Sequence, residues 1–352
     1  ISHENRSENT GPRDKHVLGI HSNSSWNGAY VPEDLRTAVA IVNRNNRSCC
    51  YLNSKVPSMD SSIILIFISL ATFLILSVPI GIAIGLSVAV GIVFGDTLPS
   101  SFLIQKMFTS LDVFPLMAVP FFIMAGEIMQ KGSMAQRLLE VSRALVGHIT
   151  GGMAHISVLT SLFYGALSGS SPATVAAVGV IMLPSMVMEG YSRSFATAVN
   201  TSAGSLGVII PPSVPLIIYG TTAGASVGDL FIAGIIPGLV IGVFLMLCSY
   251  VLARKYGYTG SGNRAPLREI LVAFKNSISA LMVPIIVLGG IYGGFTTPTE
   301  AGVIAVVYAF IVEGAILRTL SFEKIWLILR GTALTTSSIF LVVATATALG
   351  QI

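Results

Sequence analysis

Long apolar segments follow one another from about residue 59 to the end of the chain, separated by short polar or basic stretches. The apolar segments are residues 62–95, 113–130, 152–189, 194–226, 230–253, 276–294, 298–317 and 331–352. Residues 62–95 are long enough for two closely joined spans, with a break near Pro79 and Gly81. Because about 20 consecutive apolar residues cross a bilayer as a helix, the pattern predicts an all-α polytopic membrane protein.

Residues 133–147 have a different pattern, in which charged and apolar positions alternate with helical spacing. The charged side comprises Arg137, Glu140 and Arg143, and the largely apolar side comprises Met134, Leu138, Val141 and Leu145. This spacing is typical of an amphipathic helix that lies at a membrane interface.

Composition supports the membrane assignment. The 352 residues are 53% hydrophobic and 10% charged, with a mean hydropathy of +0.80, whereas soluble domains carry roughly 25% charged residues. These values exclude a disordered chain, a coiled coil and a disulfide-rich secreted module. The net charge of +4 is small and does not indicate nucleic-acid binding.

The charge is concentrated at the N-terminal end. Residues 1–58 hold seven of the 20 basic and five of the 16 acidic residues. This polar segment has no apolar run long enough to cross a bilayer and lacks the pattern of a signal peptide. We assign it no function and place the start of the membrane protein near Met59.

Basic residues predict the orientation of the spans. They gather in three loops, which contain Lys131, Arg137 and Arg143, then Arg254, Lys255, Arg264, Arg268 and Lys275, then Arg318, Lys324 and Arg330. Loops rich in Lys and Arg face the cytoplasm. With Arg193 also inside, residues 152–189 must enter and leave on the same side, as a re-entrant helical hairpin. Residues 194–226 then cross once as a helix broken at Pro211-Pro212. Two short full spans over 152–189 are the alternative.

Both interruptions combine small and hydroxyl residues. They comprise Ser168 to Ser171 with Thr174, and Thr201, Ser202, Gly204, Ser205, Gly207, Pro211, Pro212 and Ser213. Irregular backbone in lipid leaves polar groups unpaired unless it is buried in protein or lines a polar cavity. Half-helix N-termini attract anions and half-helix C-termini attract cations. The two breaks therefore suit a carboxylate beside a sodium ion, although packing and kinking roles are the alternative. Few acidic residues lie in the spans, which favours sodium over proton coupling.

Several motifs, in their order along the chain, resemble the large membrane subunit of tripartite ATP-independent periplasmic (TRAP) transporters. They are Gly126–Met129, Gly147–Ala154, Ser168–Thr174, Pro184–Tyr191, Gly204–Ser213, Leu230–Gly238 and Phe295–Ala301. The resemblance extends from about Met59 to the end of the chain.

The resemblance implies a sodium-coupled secondary transporter of the elevator type, multi-pass in a bacterial inner membrane. It implies import of organic anions such as C4-dicarboxylates or sialic-acid-like carboxylates. The implied partners are a small membrane subunit and a soluble periplasmic substrate-binding protein, with no nucleic acid and no organic cofactor.

The resemblance also implies site residues. Those for sodium are Gly169, Ser170, Ser171, Gly204, Gly207, Ile210 and Pro212. Those near the substrate are Ser170, Ser171, Thr174, Ser202, Ser205 and Ser213.

The family has inverted repeats, each with a hairpin and a broken helix. By this resemblance residues 59–255 form the first membrane repeat, 256–275 a cytoplasmic loop and 276–352 the start of the second repeat. Because no second hairpin precedes Gln351-Ile352, we expect a chain truncated relative to the family, without the second sodium position.

Two other classes of function remain open at this stage. A sodium/carboxylate symporter or channel that needs no binding protein would share the hairpin chemistry. A membrane scaffold or embedded enzyme is the third hypothesis, but no paired acid–base or metal cluster in the sequence supports catalysis.

Overall fold

The computed structural model describes residues 59–95, 99, 101–260, 262 and 264–352, and the polar segment over residues 1–58 lies outside them. The described residues form helices and turns without a strand. The helices are α1 (Met59–Ile75), α2 (Ile80–Gly95), α3 (Ser101–Leu111), α4 (Ala118–Lys131), α5 (Met134–Val146), α6 (Gly152–Ser168), α7 (Ser171–Met188), α8 (Arg193–Gly204), α9 (Leu206–Ile209), α10 (Val214–Ala223), α11 (Val227–Tyr256), α12 (Leu267–Tyr292), α13 (Pro298–Phe310) and α14 (Phe322–Leu349). A 3₁₀ turn (Phe114–Met117) precedes α4, and a π-helical turn (Ile311–Ile316) continues α13.

The predicted break near Pro79 is confirmed, because α1 ends at Ile75 and α2 begins at Ile80. The two helices pack against each other. A Cβ on Gly91 would overlap the side chain of Ile66, so the glycine allows the close approach.

The amphipathic pattern of α5 is also confirmed. Glu140 and Arg143 are exposed, while Met134, Leu138 and Val141 are buried. The apolar side packs against protein, on α6 and α12.

Hydrogen bonds fasten α5 to α12. Arg137 Nη1 donates to Asn276 O at 2.6 Å, and Ser277 Oγ donates to Arg137 O at 2.7 Å. The charged side chain of Arg137 is therefore held by the backbone of α12.

The helices late in the chain pack on early ones: α13 on α4, α12 on α5, and α14 on α2. Helix α14 also contacts α3 and α4. The helices from α6 to α11 form a second group, in which α6 contacts α7, α8, α9 and α11.

Two helices begin earlier than the apolar runs predict. Helix α12 begins at Leu267 rather than at residue 276, and α14 begins at Phe322 rather than at residue 331. The predicted loop over 256–275 is thus shorter, and Lys324 and Arg330 lie on a helix instead of in a loop. The first turn of each helix contains an acidic and a basic residue, which interrupts the apolar run there. Ser321 caps α14 by accepting from Lys324 N at 3.3 Å, which favours helix from that point.

Tyr258, two residues after α11, contacts both ends of the α6–α7 pair. Its ring stacks on Tyr191 with centroids 4.3 Å apart, and its hydroxyl accepts from Ser192 N at 3.1 Å. Its carbonyl accepts from Gly151 N at 3.2 Å. One residue therefore ties the start of α6, the end of α7 and the end of α11 together.

Among the described residues, five helices are long and apolar enough to cross a membrane. The number rises to seven if each of two bent pairs forms one span, namely α3 with Phe114–Lys131 (68°) and Arg193–Ile209 with α10 (41°). These helices support the prediction of a polytopic membrane protein.

Candidate functional site

The α6–α7 turn is a tight reversal built on one glycine. Helix α6 ends at Ser168, Gly169 has a φ of 60°, and Ser170 is extended before α7 begins. Such a left-handed conformation favours glycine, which has no Cβ. A Cβ here would also lie 2.6 Å from Pro212 O. Gly169 thus permits both the turn and the approach of the broken helix.

Hydroxyl groups order the inside of this turn. The Ser168 and Thr174 hydroxyls share a hydrogen bond of 2.9 Å, and Thr174 Oγ1 donates to Ser170 O at 2.9 Å. Both Ser168 and Thr174 are buried. The turn is therefore closed by its own side chains, as buried polar groups require.

The helix from Arg193 onwards is broken as predicted. Helical structure stops at Ile209 and resumes at Val214, because Pro211 and Pro212 have no N–H with which to continue it. The Pro211-Pro212 peptide is cis. Ser213 Oγ donates to Val208 O at 2.6 Å and accepts from Leu216 N at 3.5 Å, so this buried serine spans the gap and caps α10.

The hairpin tip and the break contact each other through backbone. Val214 N donates to Gly169 O at 3.1 Å. A Cβ on Gly165 would lie 2.9 Å from the Cα of Gly207, and one on Gly207 would overlap Thr174 Oγ1 and lie 2.8 Å from Ser170 O. Glycines on both segments therefore allow an approach that no other residue permits.

A cavity of about 830 Å³ lies beside this contact. Its walls come from α4, the hairpin tip, α10 and α14. Its polar lining comprises Glu127, Gln130, Ser168, Ser170, Thr335 and Ser338, and apolar side chains such as Ile123, Val214 and Leu334 complete it. The cavity is thus mainly apolar, with a few polar groups near the hairpin tip, as small-molecule sites usually are.

The structure brings some of the predicted site residues together. Gly169 and Ser170 line the cavity, and Ser213 directly precedes Val214 in its wall. The contact between tip and break includes Thr174, Gly204, Gly207 and Pro212. A Cβ on Gly204 would overlap Val175, the residue after Thr174.

Other predicted residues lie apart from this cavity. Ser202 lines a separate open cleft on α8 together with Arg193 and Thr197, and Ser205 Oγ donates to Ser202 O at 2.7 Å. Ser171 does not line the cavity. Ile210 points towards α11, where a Cβ on Gly238 would lie 2.6 Å from its Cγ1.

The cavity also contains residues that sequence reasoning did not assign to a site. Glu127, which the sequence analysis included only within the Gly126–Met129 motif, lies in the wall with its Oε2 3.8 Å from Lys131 Nζ. Gly331 lets α14 approach it, since a Cβ there would be 3.3 Å from Glu127 Oε2. The run of hydroxyl residues over 335–338 was the available signal for the α14 wall.

Comparison with known proteins identifies the family. The sequence profile described as "Tripartite ATP-independent periplasmic transporter, DctM component" matches residues 67–352. The chain belongs to the DctM family. The resemblance stated from its motifs is thereby confirmed.

Curated DctM-family proteins are similar over most of this chain. The isethionate TRAP transporter permease protein DctMQ of Oleidesulfovibrio alaskensis is 43% identical over 282 residues, which are 80% of this chain and 44% of that protein. The C4-dicarboxylate TRAP transporter large permease protein DctM of Rhodobacter capsulatus is 36% identical over 286 residues, 77% of this chain and 65% of that protein. The 2,3-diketo-L-gulonate TRAP transporter large permease protein YiaN of Escherichia coli is 37% identical over 271 residues, which are 77% of this chain and 64% of that protein.

The chain spans about half to two thirds of the length of these curated relatives. By their names the relatives are transporter permeases and not enzymes.

Proposed function

We propose that this chain is the membrane permease subunit of a sodium-coupled transporter that imports an organic anion across a bacterial inner membrane. A periplasmic binding protein would deliver the anion, and a small membrane subunit would complete the complex. The observation that carries the proposal is the contact between Gly169 O and Val214 N, which brings two helix interruptions together beside the cavity.

The electrostatics of this contact suit an anion and a cation together. Helices α7 and α10 both begin here, and the positive ends of their dipoles favour a carboxylate. The carbonyl oxygens of Ser170 and Pro212 lie at the same contact. Unwound backbone carbonyls coordinate sodium in transporters with discontinuous helices. Both ions can therefore be bound without a charged side chain.

The geometry ranks the proposed site residues. For sodium we favour Gly169, Ser170, Gly207 and Pro212, which meet at the contact, over Ser171 and Ile210. For the substrate we favour Ser170 and Ser213. Thr174 acts by ordering the turn. Ser202 and Ser205 are weaker candidates, because the cleft on α8 that Ser202 lines is separate from the cavity.

We propose a re-entrant hairpin for α6 and α7 because the basic residues before and after them place both ends on the cytoplasmic side. Two full spans are the alternative, since α7, with 18 residues, is among the helices long enough to cross a membrane. We propose that α6 to α11 move as one body against α1–α4 and α12–α14, in an elevator-type step that changes the access of the cavity. The inverted-repeat division at residues 255 and 276 remains a prediction.

The names of the relatives narrow the substrate class. They are permeases for isethionate, C4-dicarboxylates and 2,3-diketo-L-gulonate, all small organic anions. We propose the same class here, together with sialic-acid-like carboxylates.

Uptake into proteoliposomes tests the proposal. The chain is reconstituted with its small subunit and binding protein, and uptake of labelled succinate, isethionate, 2,3-diketo-L-gulonate and N-acetylneuraminate is measured. At least one anion should accumulate only with an inward sodium gradient and only with the binding protein. Uptake that is indifferent to sodium would contradict the coupling. Uptake without the binding protein would favour a binding-protein-independent symporter.

A further inference from the structure

Glu313 is a fully buried carboxylate that the proposed transport site does not use. It lies in the π-helical turn after α13 and has 0% of its surface exposed. Its Oε1 accepts hydrogen bonds from Ser133 N at 2.7 Å and Met134 N at 2.8 Å. These amides are the first of α5, 180 and 179 residues away in sequence.

The carboxylate acts as the N-terminal cap of α5. The first N–H groups of a helix have no partner within it, and the side chain of Ser133, the N-cap residue, makes no capping bond. Glu313 supplies the acceptor instead, and its negative charge is favourable at the positive end of the helix dipole. Within the described part of the chain no cation forms an ion pair with it.

The second oxygen, Oε2, is also bonded. It accepts from Ser133 Oγ at 3.4 Å and from the hydroxyl of Thr319. The wider π-helical winding brings Thr319 close to Glu313. Leu317 N donates to Val312 O, and Thr319 N donates to Glu313 O, both at 2.8 Å. Short π-helical turns of this kind are frequent at functional sites.

Gly132 makes room for the carboxylate. A Cβ on Gly132 would overlap the carboxylate of Glu313. Gly132 directly follows α4 and is followed by Ser133, so Glu313 contacts the corner between α4 and α5. Gln130 and Glu127, both in the cavity wall, precede Gly132 by two and five residues.

We propose that Glu313 is a positioning residue that fixes the α4–α5 corner from the later part of the chain, and thereby holds Gln130 and Glu127 in the cavity wall. The inference rests on the proposed function in one respect only, namely that this cavity binds the transported anion. Its tests measure structure and need no transport, so their failure and that of the uptake experiment are distinguishable.

Hydrogen–deuterium exchange of the full chain tests the cap. In Glu313→Leu the amides of Ser133 and Met134 lose their acceptor, and peptides containing them should exchange about tenfold faster. Peptides from α10 are the internal control and should not change. Equal exchange in Glu313→Leu and the unmodified chain would overturn the cap.

Two further variants separate the cap from general damage. Gln in place of Glu313 keeps an oxygen for both amides, and its NH₂ can donate to the hydroxyls of Ser133 and Thr319, so Glu313→Gln should retain slow exchange. Gly132→Ala displaces the flexible carboxylate without removing it and should exchange like Glu313→Leu. Gly132→Ala therefore tests the cap independently if Glu313→Leu does not fold.

Thiol labelling tests the positioning. Gln130→Cys is placed in a background with Cys49, Cys50 and Cys248 changed to Ser, and its rate of modification by a water-soluble thiol reagent is measured. Glu313→Leu or Gly132→Ala should change this rate several-fold, and Glu313→Gln should restore it. Ser338→Cys, in the opposite α14 wall, should keep its rate. If the Gln130→Cys rate stays constant while exchange at Ser133 rises, Glu313 only caps α5 and the positioning role is wrong.

Discussion

At the residue scale, Gly169 satisfies two structural requirements. Its φ of 60° is strained for any other residue, and its missing Cβ leaves room for Pro212 O. Both requirements concern the same contact between tip and break.

We therefore expect Gly169→Ala to reduce sodium-dependent uptake at least tenfold while also destabilising the protein. The left-handed backbone alone costs about 1 kcal/mol, and the contact with Pro212 adds to it. Gly224→Ala is the matched control, because Gly224 has a φ of 67° but open space around its Cβ position. It should lose similar stability by thermal unfolding and keep its uptake. Equal loss of uptake in both variants would mean that backbone strain, not the contact, is responsible.

Ser213 gives a second matched comparison. Ser213→Ala removes a cap worth about 1 kcal/mol and also a hydroxyl beside the cavity. Ser226 caps α11 in the same way, accepting from Asp229 N at 3.3 Å, but, unlike Ser213, it has no cavity-lining residue next to it in sequence. We expect Ser213→Ala to raise the KM for the transported anion and Ser226→Ala to lower only the melting temperature. An unchanged KM in Ser213→Ala would remove Ser213 from the substrate site.

Sequence predicted the residues of the hairpin tip and the break because their chemistry is local: hydroxyls, glycines and prolines within a few positions. The cavity residues Gln130 and Glu127 were not predicted as site residues, because their role depends on which helices face them. Glu313 is the extreme case, since the two amides that it caps lie 180 and 179 positions away. Nothing in a single sequence links two such positions.

At the element scale, the packing of α6–α7 on the broken helix depends on glycine pairs. A Cβ on Gly207 would overlap Thr174 and approach Ser170 O. Two segments that approach at backbone distance cannot accept a methyl group without separating.

Gly207→Ala should therefore push the hairpin tip away from the break and abolish sodium-dependent uptake. Gly179→Ala, within α7, provides the control, because nothing lies within 4 Å of its Cβ position. That change should stabilise the helix by about 0.5–1 kcal/mol. Sodium-dependent uptake and the melting temperature are measured for Gly207→Ala and Gly179→Ala in the same liposomes and compared. Normal uptake by Gly207→Ala would show that the close contact is dispensable.

The elements themselves were predicted to different degrees. The break at Pro211-Pro212 followed from the missing N–H groups, and α5 followed from its amphipathic spacing. The starts of α12 and α14 did not follow, because hydropathy marks the apolar length of a helix and not its polar first turns. Ser321 was a capping signal that would have placed the start of α14 correctly.

At the scale of the whole molecule, the cavity lies between two groups of helices. Ala173 belongs to the hairpin group and Ser338 to α14, and both line the cavity. If the groups move relative to each other during transport, the distance between these residues must change in each cycle.

We expect a reducible bifunctional thiol reagent to stop uptake when it joins Ala173→Cys to Ser338→Cys in the cysteine-free background. Cleaving the linker should restore uptake. The two single-cysteine variants, treated identically, control for modification without linkage. Undiminished uptake by a fully cross-linked protein would contradict relative motion of the two groups.

The position of Tyr258 has a practical consequence for protein engineering. Because its contacts to Gly151, Tyr191 and Ser192 all precede residue 260, dividing the gene after that codon keeps them in one polypeptide. The second polypeptide would carry α12 to α14, which pack on α2, α4 and α5. Co-expression of the two pieces would let each be labelled, mutated or exchanged with a relative's counterpart on its own.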